Sequence, residues 1–115
     1  MCRASDVVAQ LDPAALPVLG DEVLRLIERD CVPGGSRQNL VTAESFTYWG
    51  KATSAQKVLL TDAQTSGGLL LCVRPGRVAA VMQLLEKERA ACRAVIGRMR
   101  RRRKGDGLVV VTSDA

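Results

Sequence analysis

The sequence contains no histidine, the side chain that most often serves as a general base near neutral pH. A hydroxyl or thiol nucleophile therefore has no imidazole partner within the chain. The same absence removes a common zinc ligand, and none of the four cysteines stands in a C-x-x-C pair. We expect neither an internal hydrolase triad nor a zinc site. The cysteines are interpreted as reduced structural thiols, with Cys72 as a small core residue.

Long apolar stretches are also missing. The longest, residues 68–73, is far shorter than the roughly 20 residues that cross a bilayer, and the first ten residues lack the apolar core and cleavage site of a leader. We therefore expect a cytoplasmic protein with no membrane association. With 115 residues, 47% hydrophobic and 25% charged, the chain is predicted to fold as one domain over residues 1–115.

Aromatic residues make up only 3% of the chain, while the net charge of +5 comes from one basic tract, residues 98–104. The tract touches two apolar segments, 94–99 and 108–111, which we predict to be the strands of a hairpin with a turn at 105–107. A solvated connection is favoured, and a phosphate-binding patch for RNA or an anionic substrate is the alternative. Because the tract has no aromatic stacking platform, nucleic acid is not expected as a partner.

The remaining pattern alternates between strand-like and helix-like segments. Strands are predicted at residues 7–11, 57–60, 69–73, 94–99 and 108–111, and helices at 21–30 and 75–90. The segment 32–40 is interpreted as a loop because it contains Pro-Gly-Gly, and residues 41–56 carry no assignable signal. The predicted fold class is α+β, a mixed β-sheet of four or five short strands with packed helices.

Two stretches combine a glycine pair with hydroxyl side chains, P-G-G-S-R at 33–37 and Q-T-S-G-G at 64–68. Glycine lets backbone N–H groups approach an anion, hydroxyls add donors, and the Arg37 guanidinium can hold two phosphate oxygens. The residues alone leave open whether each stretch is a turn or an anion-binding loop, and neither forms a Walker or dinucleotide fingerprint. The candidate phosphate-binding residues are Gly34, Gly35, Ser36, Arg37, Thr65, Ser66, Gly67 and Gly68.

Three ordered blocks resemble the C-terminal part of the selenide, water dikinase family, also called selenophosphate synthetases. The blocks are V-P-G-G-S-R-Q-N at 32–39, L-T-D-A-Q-T-S-G-G-L-L at 60–70 and A-V-I-G at 94–97. The resemblance covers nearly the whole chain but only about the last third of the family's length. It implies the C-terminal-domain fold of the aminoimidazole ribonucleotide synthetase superfamily, an α+β sandwich packed on a separate nucleotide-binding domain.

The implied reaction forms selenophosphate from selenide, ATP and water with magnesium, and it releases AMP and phosphate. The product of this family feeds the synthesis of selenocysteine and selenouridine. The family's nucleophilic Cys or Sec, its neighbouring Lys and its metal-binding aspartates precede the matching part. The resemblance therefore assigns no catalytic and no metal-binding residue to this chain.

Individual positions also depart from the family pattern. Cys2 does not match the nucleophile, Cys31 replaces the glycine usual before V-P-G-G, and Asp62 stands alone, as a turn cap does. We expect the chain by itself to bind neither ATP nor Mg²⁺ and to be inactive. Its expected partner is the nucleotide-binding domain of the same enzyme, with a homodimer as a further option. The alternative function is a non-catalytic binding or interaction module that keeps the fold.

Overall fold

Four short strands form one mixed sheet in the computed structural model, which describes residues 1–112. They are β1 (Val7–Leu11), β2 (Thr47–Tyr48), β3 (Gly97–Arg101) and β4 (Val109–Val111). The spatial order is β2-β4-β1-β3, in which β1 runs parallel to β4 and antiparallel to β3, and β2 runs parallel to β4. The predicted α+β class and the mixed sheet are confirmed.

Within residues 1–112 one short helix precedes β1, and the others lie between β1 and β2 or between β2 and β3. They are α1 (Cys2–Ser5), α2 (Asp21–Glu28), α3 (Gly34–Glu44), α4 (Ser54–Leu60) and α5 (Val78–Lys87), the last preceded by a 3-10 turn at Pro75–Arg77. The helices predicted at 21–30 and 75–90 are confirmed. None of the described helices has the length and apolar character needed to cross a membrane.

The loop predicted at 32–40 is wrong, because α3 begins at Gly34. The carbonyl of Pro33 accepts the N–H groups of Ser36 at 3.1 Å and Arg37 at 3.3 Å, which starts the helix. Further along, Leu40 and Ala43 pack into the core. Gly34 and Gly35 are the first two residues of α3, where glycine costs less than the roughly 1 kcal/mol of a helix interior, and the packing of α3 stabilises the helix.

Two predicted strands are also wrong. Residues 57–60 lie in α4, whose start is fixed by a capping box in which Thr53 and Gln56 exchange hydrogen bonds of 3.2 and 2.9 Å. Residues 69–73 form no regular secondary structure, and Cys72 within them is exposed rather than in the core. The four cysteines are free; Cys2 is half-buried, and Cys31, Cys72 and Cys92 are exposed.

The predicted hairpin between 94–99 and 108–111 is wrong as well, because β1 lies between β3 and β4. Ala9 faces Met99 on one side and Val109 on the other. At the end of this pairing a Cβ on Gly97 would overlap the carbonyl oxygen of Gln10, so only glycine lets β3 approach β1 there. Among the described strands the last, β4, therefore pairs with the first, β1, and the connection between β3 and β4 passes the N-terminal end of β1 near Val7.

The buried core is small and lies between the sheet and the neighbouring helices. Among the described residues the buried apolar side chains are Val8, Ala9, Ala43, Trp49 and Val111. Partly buried residues pack around the cluster of Ala43, Trp49 and Val111; they are Leu40, Phe46, Ala52, Leu60 and Val109. The segment 41–56, which had no assignable pattern, thus supplies the end of α3, strand β2 and the buried tryptophan.

Candidate functional site

The first turns of α3 are fastened to the segment that leads into residues 64–68. The Ser36 hydroxyl is fully buried; it donates to Oδ1 of Asp62 at 2.6 Å and accepts the Ala63 N–H at 3.0 Å. Three residues later, Nδ2 of Asn39 donates to the carbonyl oxygen of Thr61 at 3.1 Å. We call these contacts between Ser36 or Asn39 and residues 61–63 the clasp. It joins the two glycine-rich stretches that the sequence places far apart.

The rest of the first stretch lies beside the clasp. Gly35 faces Ala63 so closely that a Cβ at position 35 would lie 3.3 Å from the Ala63 Cβ, whereas a Cβ on Gly34 would meet open space. Arg37 points to Asp30, with Nη2 at 2.6 Å from Oδ1, and both side chains are exposed. Exposed ion pairs contribute only ~0 to 1 kcal/mol, so an incoming anion can compete with Asp30 for this guanidinium.

The second stretch is an exposed loop with unused donors. Residues 64–68 are exposed throughout, and no hydrogen bond among the described residues occupies their backbone N–H groups or the hydroxyls of Thr65 and Ser66. A Cβ on Gly68 would meet nothing within 4 Å, while Gly67 lies against the side-chain amide of Gln64. This combination of free N–H groups, hydroxyls and an open glycine suits oxygen atoms of a phosphate group.

The structure brings the two stretches together only at their shared neighbour. Within residues 1–112 no hydrogen bond joins 34–37 directly to 65–68, and the link passes through Asp62 and Ala63. Asn39 is the residue of the link that sequence reasoning did not single out, whereas Asp62, interpreted from the sequence as a lone turn cap, accepts the Ser36 hydroxyl. Ser36 and Asn39 stand three apart, a spacing that shares a helix face, but this signal has meaning only once 34–44 is known to be helical.

The donor set does not fit a resident magnesium ion. Among residues 1–112 no group of three or more Asp, Glu, Cys or His side chains converges, and one oxygen of Asp62 is engaged by Ser36. Magnesium in nucleotide sites is held by carboxylates together with the substrate's phosphates. The described residues therefore offer phosphate donors rather than metal ligands.

The basic tract is partly neutralised by one aspartate. Arg100 contacts Asp106 through two hydrogen bonds, and the Arg103 N–H donates to the same carboxylate at 2.6 Å. The hydrogen bonds from the Arg100 side chain and the Arg103 backbone lower the pKa of Asp106 from 3.8 to about 2. Part of the tract belongs to strand β3 and the rest to the turn held by Asp106, so the residues do not form a single mobile basic loop.

No family model matches the chain, but the chain is similar in sequence to several proteins that carry the same name, selenide, water dikinase. It is 39% identical over 100 residues to the selenide, water dikinase of Pseudomonas straminea, which covers 86% of this chain and 28% of the relative. The proteins of the same name from Colwellia psychrerythraea and Haemophilus ducreyi are 43% identical over 75 residues and 33% identical over 87 residues. Those matches cover 65% and 76% of this chain but 21% and 24% of the relatives. The chain thus spans about a quarter of the length of the curated relatives it matches.

Proposed function

This chain is related to the selenide, water dikinases along most of its length, and from that premise we propose that it works as the C-terminal domain of a selenophosphate synthetase. A separate nucleotide-binding domain would supply the nucleophile and the ligands for ATP and magnesium. The present chain would supply one wall of the cleft, with the 64–68 loop facing the transferred phosphate. Such a domain needs its partner for activity.

The exposed leucines next to the candidate loop carry this proposal. Leu69, Leu70 and Leu71 directly follow Gly68 and are 90%, 61% and 51% exposed. Side chains of this size are normally buried, and burial of one leucine contributes about 1.5 to 3 kcal/mol. A run of them beside a phosphate-type loop is typical of a surface that another domain covers. The same cover would bury the leucines that are exposed here.

The chemical contribution of the loop would be electrostatic. Phosphoryl transfer depends mainly on positioning and on neutralising the negative charge of the transferred group. Residues 65–68 are exposed, and their N–H groups and hydroxyls have no hydrogen-bond partner among residues 1–112, so they can hold phosphate oxygens as the charge shifts. Arg37 can add a positive charge by exchanging Asp30 for phosphate. Each of these roles is one of binding and orientation.

Complementation tests the proposal directly. The part of the Pseudomonas straminea relative that lies outside the match is produced as a separate protein and mixed with this chain, ATP, selenide and Mg²⁺. We expect AMP release from the mixture and none from either protein alone. Absence of AMP from a mixture in which both proteins are folded and associated would contradict the proposal. In that case the non-catalytic interaction module becomes the better description of this chain.

A further inference from the structure

We propose that Ser36 is a positioning residue that sets where the 64–68 loop lies, rather than a residue that contacts phosphate. The inference deepens the proposed function and rests on it in one respect, the assignment of that loop to phosphate. The position of the loop itself is a property of this chain and can be measured without any ligand.

The burial of Ser36 supports this role. Its side chain has no exposed surface, and its hydroxyl is already used as donor to Asp62 and as acceptor from Ala63. A buried hydroxyl with both functions satisfied would have to give up a hydrogen bond to reach an external ligand. Ser66, by contrast, is exposed, so its hydroxyl can reach an external ligand. The Ser36 hydroxyl therefore binds the protein's own chain and not an external ligand.

Ser36 also lies at the point where the loop begins. Ala63 is covalently next to Gln64, so the hydrogen bond to its N–H fixes the backbone at the point where the loop begins. The bond to Asp62 fixes the preceding residue as well. No other hydrogen bond among the described residues restrains the backbone of 64–68. Ser36 is thus the last anchor before the loop starts.

Ser36 and Asn39, the two halves of the clasp, restrain different parts of the chain. Asn39 holds the carbonyl of Thr61, and the Thr61 hydroxyl is in turn bonded to the carbonyls of Lys57 and Val58 in the last turn of α4. That half fixes the end of a helix. Without the Ser36 hydroxyl, Asn39 still joins α3 to α4 and the Asp62 N–H still bonds to Leu59, so we expect the fold to be retained while the restraint on the Ala63 backbone is lost.

Amide NMR of the full chain provides the test, with Ser36→Ala as the first variant. We expect amide exchange at Ala63 to become about tenfold faster, which is the loss of one hydrogen bond, and the amide shifts of residues 64–68 to move. Ser45→Ala is the matched control, because the Ser45 hydroxyl is bonded only to the Thr42 carbonyl within α3. The control should leave the loop amides unchanged. Loop amides that stay in place in Ser36→Ala would overturn the proposal.

Variants at Asp62 keep the proposal testable if Ser36→Ala fails to fold, since Asp62 is exposed. Asp62→Asn keeps a side-chain oxygen that can accept from Ser36 and should leave the loop amides near their wild-type positions. Asp62→Ala removes that acceptor and should displace them. Equal spectra for the loop in the two variants would overturn the positioning role, because a general effect of lost charge does not distinguish Asn from Ala.

Titration with pyrophosphate separates this inference from the proposed function. We expect the amides of residues 66–68 to shift when pyrophosphate is added to the wild-type chain. In Ser36→Ala the same shift should require at least about tenfold more pyrophosphate, because the displaced loop loses the equivalent of one hydrogen bond to the charged ligand. If wild-type loop amides ignore pyrophosphate, the proposed function loses its phosphate loop. Displacement of the ligand-free loop in Ser36→Ala would still support the positioning role.

Discussion

Arg100 donates two hydrogen bonds to the carboxylate of Asp106, with Nη1 2.6 Å from Oδ2 and Nη2 3.0 Å from Oδ1. The parallel geometry is the strong form of an arginine–carboxylate contact, and it ties the end of β3 to the turn before β4. The pKa of Asp106 is about 2 in the folded chain, below its ordinary value of 3.8. The pair therefore stabilises the fold above about pH 4, and this contribution is lost as the pH falls through about 2.

Replacement of Arg100 by Met should raise the pKa of Asp106 toward 3.8, because the side-chain hydrogen bonds from Arg100 are the largest cause of the shift. The Arg103 N–H remains, so part of the shift persists. A carboxyl NMR titration measures this directly. Arg101→Met is the control, since Arg101 is exposed and makes no side-chain bond to Asp106. Equal pKa values in the two variants would contradict the assignment.

Ser66→Ala should reduce AMP formation in the complemented enzyme by about tenfold to a hundredfold, the usual value of one hydrogen bond to a charged oxygen. The thermal midpoint should not change, because Ser66 makes no internal hydrogen bond among the described residues. Thr42→Ala is the control; the Thr42 hydroxyl is bonded to the Gln38 carbonyl within α3 and should not matter for activity. Full activity in Ser66→Ala would remove this residue from the candidate site.

Replacement of Leu69 and Leu71 by Ser should leave the isolated chain within about 0.5 kcal/mol of the wild-type unfolding free energy, as is usual for exposed positions. Affinity for the partner domain should fall at least about tenfold, since each leucine buried in an interface contributes about 1.5 to 3 kcal/mol. Isothermal titration calorimetry measures the affinity. Leu19→Ser serves for comparison because Leu19 is fully exposed in a different loop. An equal loss of affinity in this variant would mean that the leucines at 69–71 are not a specific contact.

Gly50→Ala should lower the free energy of unfolding by about 1 to 3 kcal/mol. Gly50 has φ of 52°, and a Cβ there would lie 2.6 Å from the carbonyl oxygen of Val111. Both the dihedral angle and the contact with β4 oppose a side chain. Urea unfolding followed by circular dichroism provides the measurement. Gly76→Ala, where a Cβ meets open space, should have a wild-type midpoint; if both variants match the wild type, this account of Gly50 is wrong.

The segments that sequence reasoning predicted correctly carry local signals of their own. Residues 7–11 are an apolar run bounded by Asp12-Pro13, and α5 has apolar residues at helical spacing after a proline. Residues 57–60 form an apolar run too short to separate a strand from a helix. The capping box at Thr53, four residues before this run, starts a helix there instead of a strand. Residues 69–73 resemble a strand in sequence but pair with no strand among residues 1–112.

The candidate site was predictable in composition but not in assembly. The glycines and hydroxyls at 34–37 and 64–68 are visible in the sequence, and so is their resemblance to one enzyme family. The contact of Ser36 with Asp62 forms because α3 packs against the segment that follows α4. That packing is a tertiary property. The proline and the two glycines of residues 33–35 predicted a loop. The sequence therefore offered no reason to place Ser36 and Asn39 on one helix face.

The central place of β1 has a consequence for how the chain folds. Among the described residues β1 pairs with β3 and β4, so during synthesis it has neither of these sheet partners until residues 97–111 have left the ribosome. Contacts between residues so distant in sequence make folding slow. Until then the exposed edges of Val7–Leu11 and the uncovered leucines are open to association with other chains. Early arrival of a partner domain would shorten that interval.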